Sequence, residues 1–222
     1  MTKIQKNGML ALATAILLIA FSVHSVFARA EIGSLYTATA ISSEKKIGVE
    51  QSCATLHGHL TSFQAQINKS ASINPELRAE ALAEIQEYQT NVSTLQQQLH
   101  NTASDESAIS MLQKIQPTAA EAQKIMEKWS VRFATRQLEN ASAKVEEVLQ
   151  DLSSLNKAET KSLYQEALDK QQTAEDALAA ARNAIEDKEY ARVANKNAIA
   201  RTAIKQTVTI LHKITSQLKH QK

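Results

Sequence analysis

Residues 49–67 read VEQSCATLHGHLTSFQAQI, and the spacing of their apolar positions marks the chain as helical. Val49, Cys53, Leu56, Leu60, Phe63 and Ile67 step by 4, 3, 4, 3 and 4. Such steps stack six side chains on one stripe of an α-helix, whereas a half-buried strand would alternate every second residue. Just beyond, Ser72-Ile73-Asn74-Pro75-Glu76 reads as a turn into a second helix. Asn74 suits the N-cap there, and Pro75 the first helical position, where its missing N–H costs nothing. A second stripe follows at Ala81, Ile85, Tyr88, Val92, Leu95 and Leu99. Two amphipathic helices joined by so short a turn form an antiparallel hairpin.

The rest of the chain repeats this grammar. Asn101 to Glu106 is a polar break, with Ser104 or Asp105 capping a short helix through Ala108, Ile109, Leu112 and Ile115. Pro117 is expected to end that helix, because the residue before a proline avoids helical dihedrals. A long helix is expected from Thr118, striped first by Met126, Trp129 and Phe133. Its second stripe is Leu138, Ala141, Val145, Val148, Leu152 and Leu155. The five-residue step from 133 to 138 rotates the apolar face. Leu155-Asn156-Lys157 reads as a turn, as does Glu186-Asp187-Lys188-Glu189. Between them Tyr164, Leu168, Ala174, Leu178, Ala181 and Ile185 line an alanine-rich helix. Val193, Ala200, Ile204, Leu211, Ile214 and Leu218 line the last one.

The four glycines are Gly8, Gly33, Gly48 and Gly58, and the two prolines are Pro75 and Pro117. A β-rich domain or a phosphate-cradling loop would need glycine in the long stretch after Gly58. The expected fold is therefore all-α: an antiparallel helical bundle with coiled-coil-like packing, of five substantial helices and one short one. Residues 31–48 are expected to be a flexible N-terminal segment. Residues 49–116 are expected to form the hairpin plus the short helix, and 118–222 a long-helix bundle packing on the hairpin.

Ahead of this lies an export signal. Lys3 and Lys6 precede an apolar run from Met9 to Val23, and Ala28-Arg29-Ala30 offers a small-x-small cleavage site before Glu31. Residues 1–30 thus read as a secretory signal peptide, placing the mature protein in the periplasm, cell envelope or extracellular space. The less favoured alternative is an uncleaved N-terminal anchor. Cys53, the only cysteine, permits no internal disulfide and reads as a small core residue.

Charge is unevenly distributed. From Ala191 onward the chain has no acid but carries Arg192, Lys196, Arg201, Lys205, Lys213, Lys219 and Lys222. Two roles are open for this basic helix: packing against acidic neighbours, or touching an anionic surface such as lipid headgroups or cell-wall polymer. Nucleic acid is not an expected partner, since no aromatic side chains interleave with these charges. The one aromatic–cationic cluster is Trp129 and Phe133 beside Arg132 and Arg136. It suits either a core anchor or a surface patch for a partner.

No chemistry converges elsewhere. His57 and His59 are two apart and so face different sides of a helix, and no paired zinc- or iron-binding helix signature occurs; no metal site is expected. Carboxylate pairs such as Glu80/Glu84, Glu146/Glu147 and Glu175/Asp176 read as solvated outer faces. No catalytic residue, cofactor or enzymatic activity is expected.

Two resemblances add to this reading. Leu60-Thr61-x-x-Gln64 is similar to the L-T-x-x-Q signature of the Spy/CpxP family of small periplasmic helical chaperones. That resemblance implies a cradle-shaped dimer shielding unfolded clients. More of the chain resembles the exported all-helical proteins of small-genome candidate-phylum bacteria, to which no activity is assigned. The likeness lies in the arm PELRAEALAEIQ at 75–86, the segment DESAISMLQKI at 105–115, and the alanine-rich long helices after it. It implies the fold and export alone. The expected function is a non-enzymatic structural or interaction protein of the bacterial envelope, contacting a protein partner or an anionic surface. A periplasmic holdase is the alternative.

Overall fold

The computed structural model describes residues 46–70, 73–101, 105–153 and 160–220. Residues 1–30, expected to be an export signal, residues 31–45 and the turn expected at 155–157 lie outside them. The fold is all-α. Among the described residues there are five helices: α1 (Lys46–Lys69), α2 (Pro75–His100), α3 (Asp105–Ser153), α4 (Lys161–Glu186) and α5 (Tyr190–His220). The chain divides into two units between Ser130 and Val131, inside α3.

In the first unit α1 packs on α2, and every residue of the 49–67 stripe is buried. The turn closes as its chemistry dictates. The Asn74 side chain accepts from the Glu76 N–H at 2.8 Å, with Pro75 opening α2. Arg78, one turn into α2, reaches back and donates to the Ser70 carbonyl at 2.6 Å, satisfying an acceptor that the end of α1 leaves open. A polar layer crosses the hairpin higher up, where buried Gln89 donates from Nε2 to Gln64 Oε1 at 3.1 Å. Beside Val49 and Leu99, Cys53 is buried with Met111 and Ile115 of α3. Burial, and then the Glu50 carboxylate, push its thiol up from 9.0 to about 11, so it stays protonated and unreactive at neutral pH.

Two sequence expectations are corrected here. Helix α1 already begins at Lys46, within the segment expected to be flexible. More substantially, Pro117 does not end a helix: α3 runs unbroken through it for 49 residues, so the expected short helix and long helix are one. The physical reason is the stripe. Met111, Ile115, Ala122, Met126 and Trp129 are all buried, carrying one apolar face past the proline, which itself faces solvent. The following Thr118 hydroxyl donates to the Lys114 carbonyl at 3.0 Å in the same turn. Packing along a long helix outweighs the roughly 3 kcal/mol that an interior proline costs.

In the second unit α4 and α5 pair along their lengths and pack with the C-terminal part of α3. The α4 stripe is largely alanine: Ala167, Ala174, Ala177, Ala181 and Ala184 are buried, which lets the helix backbones approach closely. Tyr164 of α4 donates from its hydroxyl to the Leu149 carbonyl of α3 at 3.1 Å. Two further polar layers lie in this core. Asn197 donates from Nδ2 to the Thr135 hydroxyl at 3.0 Å and to the Val131 carbonyl at 3.2 Å. Gln171 donates to Ser142 Oγ at 2.7 Å. Thr135 occupies the five-residue gap between Phe133 and Leu138, so the rotated face there is filled by a buried hydroxyl.

The α4–α5 turn is a Schellman close. Lys188 takes the left-handed conformation, φ 59°, with its N–H bonded to the Ile185 carbonyl at 3.1 Å. The Glu189 N–H reaches the Ala184 carbonyl at 2.9 Å. The turn therefore falls at the residues the sequence suggests. It delivers α5 antiparallel to α4, and this fixes which side of the basic helix is exposed.

Candidate functional site

Helix α5 carries six lysines and arginines and no acid over its whole length. One side is consumed by the core: Val193, Ala200, Ile204, Leu211 and Ile214 are buried, with Asn197 and Thr207 in the same 3,4 register. The opposite side carries the charge. Lys205 and Lys213 are exposed, and Arg201 and Lys196 are half-buried at the edges. At about 100° per residue, Arg201 and Lys205 fall on one flank of the exposed face and Lys213 on the other. Arg192 pairs with Glu189 at 2.8 Å, at the entry to the helix. Among the described residues, Lys196, Arg201, Lys205 and Lys213 make no ion pair. Lys219 lies in the last turn of α5, its side chain outside the described residues.

The hydroxyls of Thr202 and Thr209 donate to the carbonyls of Ala198 and Lys205, and that of Ser216 to His212, all close to 2.9 Å. These hydroxyls are turned onto their own backbone, and the exposed long side chains of this stretch are Lys205 and Lys213 with Gln206, His212 and Gln217. Of the two roles open for the basic helix, the pairing pattern favours a charged face turned outward over one neutralised by acidic neighbours.

The aromatic–cationic cluster is placed differently. Trp129 is 2% exposed and Phe133 1%, so neither ring presents a face to an outside molecule. The indole Nε1–H donates to Glu84 Oε2 of α2 at 2.6 Å, and Lys128 Nζ bonds the same carboxylate at 2.7 Å while lying 4.9 Å from the ring centroid. Arg136 pairs with Glu139 at 3.0 Å, a carboxylate it shares with Arg182 of α4 at 3.7 Å. Arg132 is half-buried and partnered. Core anchoring is the role this geometry gives Trp129. Glu84, expected on a solvated face, is corrected: it is half-buried and holds the indole and the ammonium at once. Near it the Tyr88 phenol is held above its ordinary range by burial, and then by Glu121, Glu87 and Glu84.

No protein-family model, curated protein or solved structure matches this chain.

A cleft of about 550 Å³ lies between Glu50 of α1 and the last turns of α2 at Ser93, Gln96, Gln97, His100 and Asn101. The side chains around it are a carboxylate, an imidazole, three amides and one hydroxyl, and much of the surface they present is their apolar stems. Among the described residues no three His, Cys, Asp or Glu side chains gather as a metal ligand set. No described helix is long and apolar enough to cross a membrane. What the sequence reading missed are the core amides, Gln89, Gln171 and Asn197. Their signal was present, because each sits in step with a stripe: Gln89 between Ile85 and Val92, Gln171 between Ala167 and Ala174, Asn197 between Val193 and Ala200.

Proposed function

We propose that this chain is an exported, non-enzymatic interaction protein of the bacterial cell envelope, held to an anionic surface by the outward face of α5. The observation that carries the reading is the state of the cations. Arg201, Lys205 and Lys213 lie on an acid-free helix, at its edge or on its exposed side, with no ion pair among the described residues. Surface lysines usually sit among acids of opposite sign, and a run of one sign raises a field that steers and holds anions. The signal-like segment at 1–30 supplies the compartment in which envelope polyanions are met. Binding is the activity that such a face can perform.

A holdase would need a contiguous exposed apolar surface for its clients. Among the described residues the exposed large hydrophobic side chain is Ile199, at 40%, which gives that alternative no support.

The test is sedimentation of the purified protein with isolated bacterial envelopes across a salt series. Attachment is expected at low salt, to fall as screening shortens the reach of the lysines, and to be lost in Lys205→Glu/Lys213→Glu. The melting temperature of that variant should be unchanged, because neither residue is paired or buried. Salt-independent attachment, or attachment that survives charge reversal, would refute the reading. Loss of attachment on protease treatment of the envelopes would assign the surface to a protein partner.

A further inference from the structure

We propose that the surface α5 meets is a phospholipid leaflet bearing anionic headgroups, contacted at the phosphate plane with no apolar insertion; this rests on the reading just given. Interfacial helices ordinarily bind lipid by burying an apolar face below the headgroups. Helix α5 has no such face to offer: Val193, Ile204, Leu211 and Ile214 are already buried in its own unit, and Ile199, at 40%, is the one large apolar side chain it exposes among the described residues. Contact must then be electrostatic.

The layout of the charges selects a plane over a thread. Arg201 to Lys213 spans about 18 Å along the axis at 1.5 Å per residue. Arg201 and Lys205 occupy one flank and Lys213 the other, on a helix about 10–12 Å across with its side chains. Between the flanks, Thr202, Thr209 and Ser216 fold their hydroxyls back onto the helix. The cations therefore form an array with width as well as length. A single polyanionic strand lying along the helix satisfies one flank, whereas a sheet of headgroup phosphates satisfies both. Each basic side chain near an anionic leaflet strengthens binding about fivefold, so three give roughly a hundredfold.

The experiment compares the full chain with Arg201→Gln/Lys205→Gln/Lys213→Gln, so that any contribution from the N-terminal apolar segment is common to both. Flotation is measured on phosphatidylglycerol/phosphatidylcholine vesicles, on pure phosphatidylcholine vesicles, and against soluble polyphosphate as the thread. The expected result is a roughly hundredfold excess of wild-type affinity for the anionic vesicles at low salt. That excess should be absent on phosphatidylcholine and gone at about 0.5 M salt, where screening extends over only a few ångströms. Equal binding of the two proteins to anionic vesicles, with a difference on polyphosphate, overturns the leaflet and leaves anionic attachment standing. No difference on either probe overturns both. An excess that survives high salt overturns binding without insertion. Should the triple variant not fold, Lys205→Gln and Lys213→Gln are read singly, each at about fivefold.

Discussion

Glu84 and Trp129, 45 residues apart in the chain, are joined by a 2.6 Å bond from the indole Nε1–H to Oε2. This contact fastens α3 to the hairpin at the largest fully buried side chain of the described residues. A tryptophan can be buried deeply only if its N–H finds an acceptor, and here the acceptor is ionised. Removing it strands a buried donor, which costs more than the bond itself contributes. Glu84→Ala is expected to destabilise the protein by about 2–3 kcal/mol in urea titrations followed by Trp129 fluorescence. Glu84→Gln, which keeps an acceptor, should lose about 1 kcal/mol. Equal losses for the two would show that the carboxylate oxygen is not what holds the indole.

The helices were legible because burial of a stripe leaves a period, and every position of the 49–67 stripe is buried. The Asn74-Pro75 cap was legible because its chemistry is local. Pro117 was misread for the opposite reason: a local rule about one residue lost to packing distributed over Met111, Ile115, Ala122 and Met126. Glu84 was misread because its partners, Lys128 and Trp129, lie on another helix, and a periodicity argument sees one helix at a time. The basic face was legible as charge, but whether Lys205 and Lys213 are paired depends on which side of α5 is buried.

Lys188 stands where a glycine belongs. With φ 59° it pays the left-handed penalty of about 1–2 kcal/mol that falls on residues with a Cβ. Glycine escapes that penalty but loses about 0.5–1 kcal/mol in chain entropy. Lys188→Gly is therefore expected to stabilise the protein by about 0.5–1 kcal/mol. Lys188→Val, β-branched at the same dihedrals, should destabilise it. Thermal melts of the two variants should move in opposite directions, and a melt lowered by glycine would contradict the Schellman account.

Cys53 provides a pH test. Burial favours the neutral thiol, raising its titration from 9.0 to about 11 in the folded protein. Because the raised value belongs to the folded state, the stabilisation is complete below pH 9 and is lost as pH rises towards 11. Urea midpoints of the wild type should fall across that window more steeply than those of Cys53→Ala. At pH 8 a soluble disulfide reagent should label the folded protein at least about a hundredfold more slowly than the unfolded chain. Rapid labelling of folded protein would show that the α1–α3 contact around Cys53 opens freely.

Asn197 and Thr135 separate what a buried amide contributes to stability from what it contributes to register. Asn197 donates to both the Thr135 hydroxyl and the Val131 carbonyl, in line with apolar neighbours four residues before and three after. Asn197→Ala leaves a cavity and takes a donor from the Val131 carbonyl, and should cost about 2–3 kcal/mol. Replacing both partners, Asn197→Leu with Thr135→Val, removes the polar atoms together and refills the volume. That double variant is expected to fall within about 1 kcal/mol of wild type, because paired apolar replacements avoid the desolvation penalty of a half-broken bond. What it should lose is discrimination, since one amide fixes the sliding position of α5 against α3 as a single polar residue does in a coiled coil. Broadened amide resonances along α5, at near-normal stability, would show that role directly. A double variant as unstable as Asn197→Ala, with sharp spectra, would instead make the amide a contributor to stability alone.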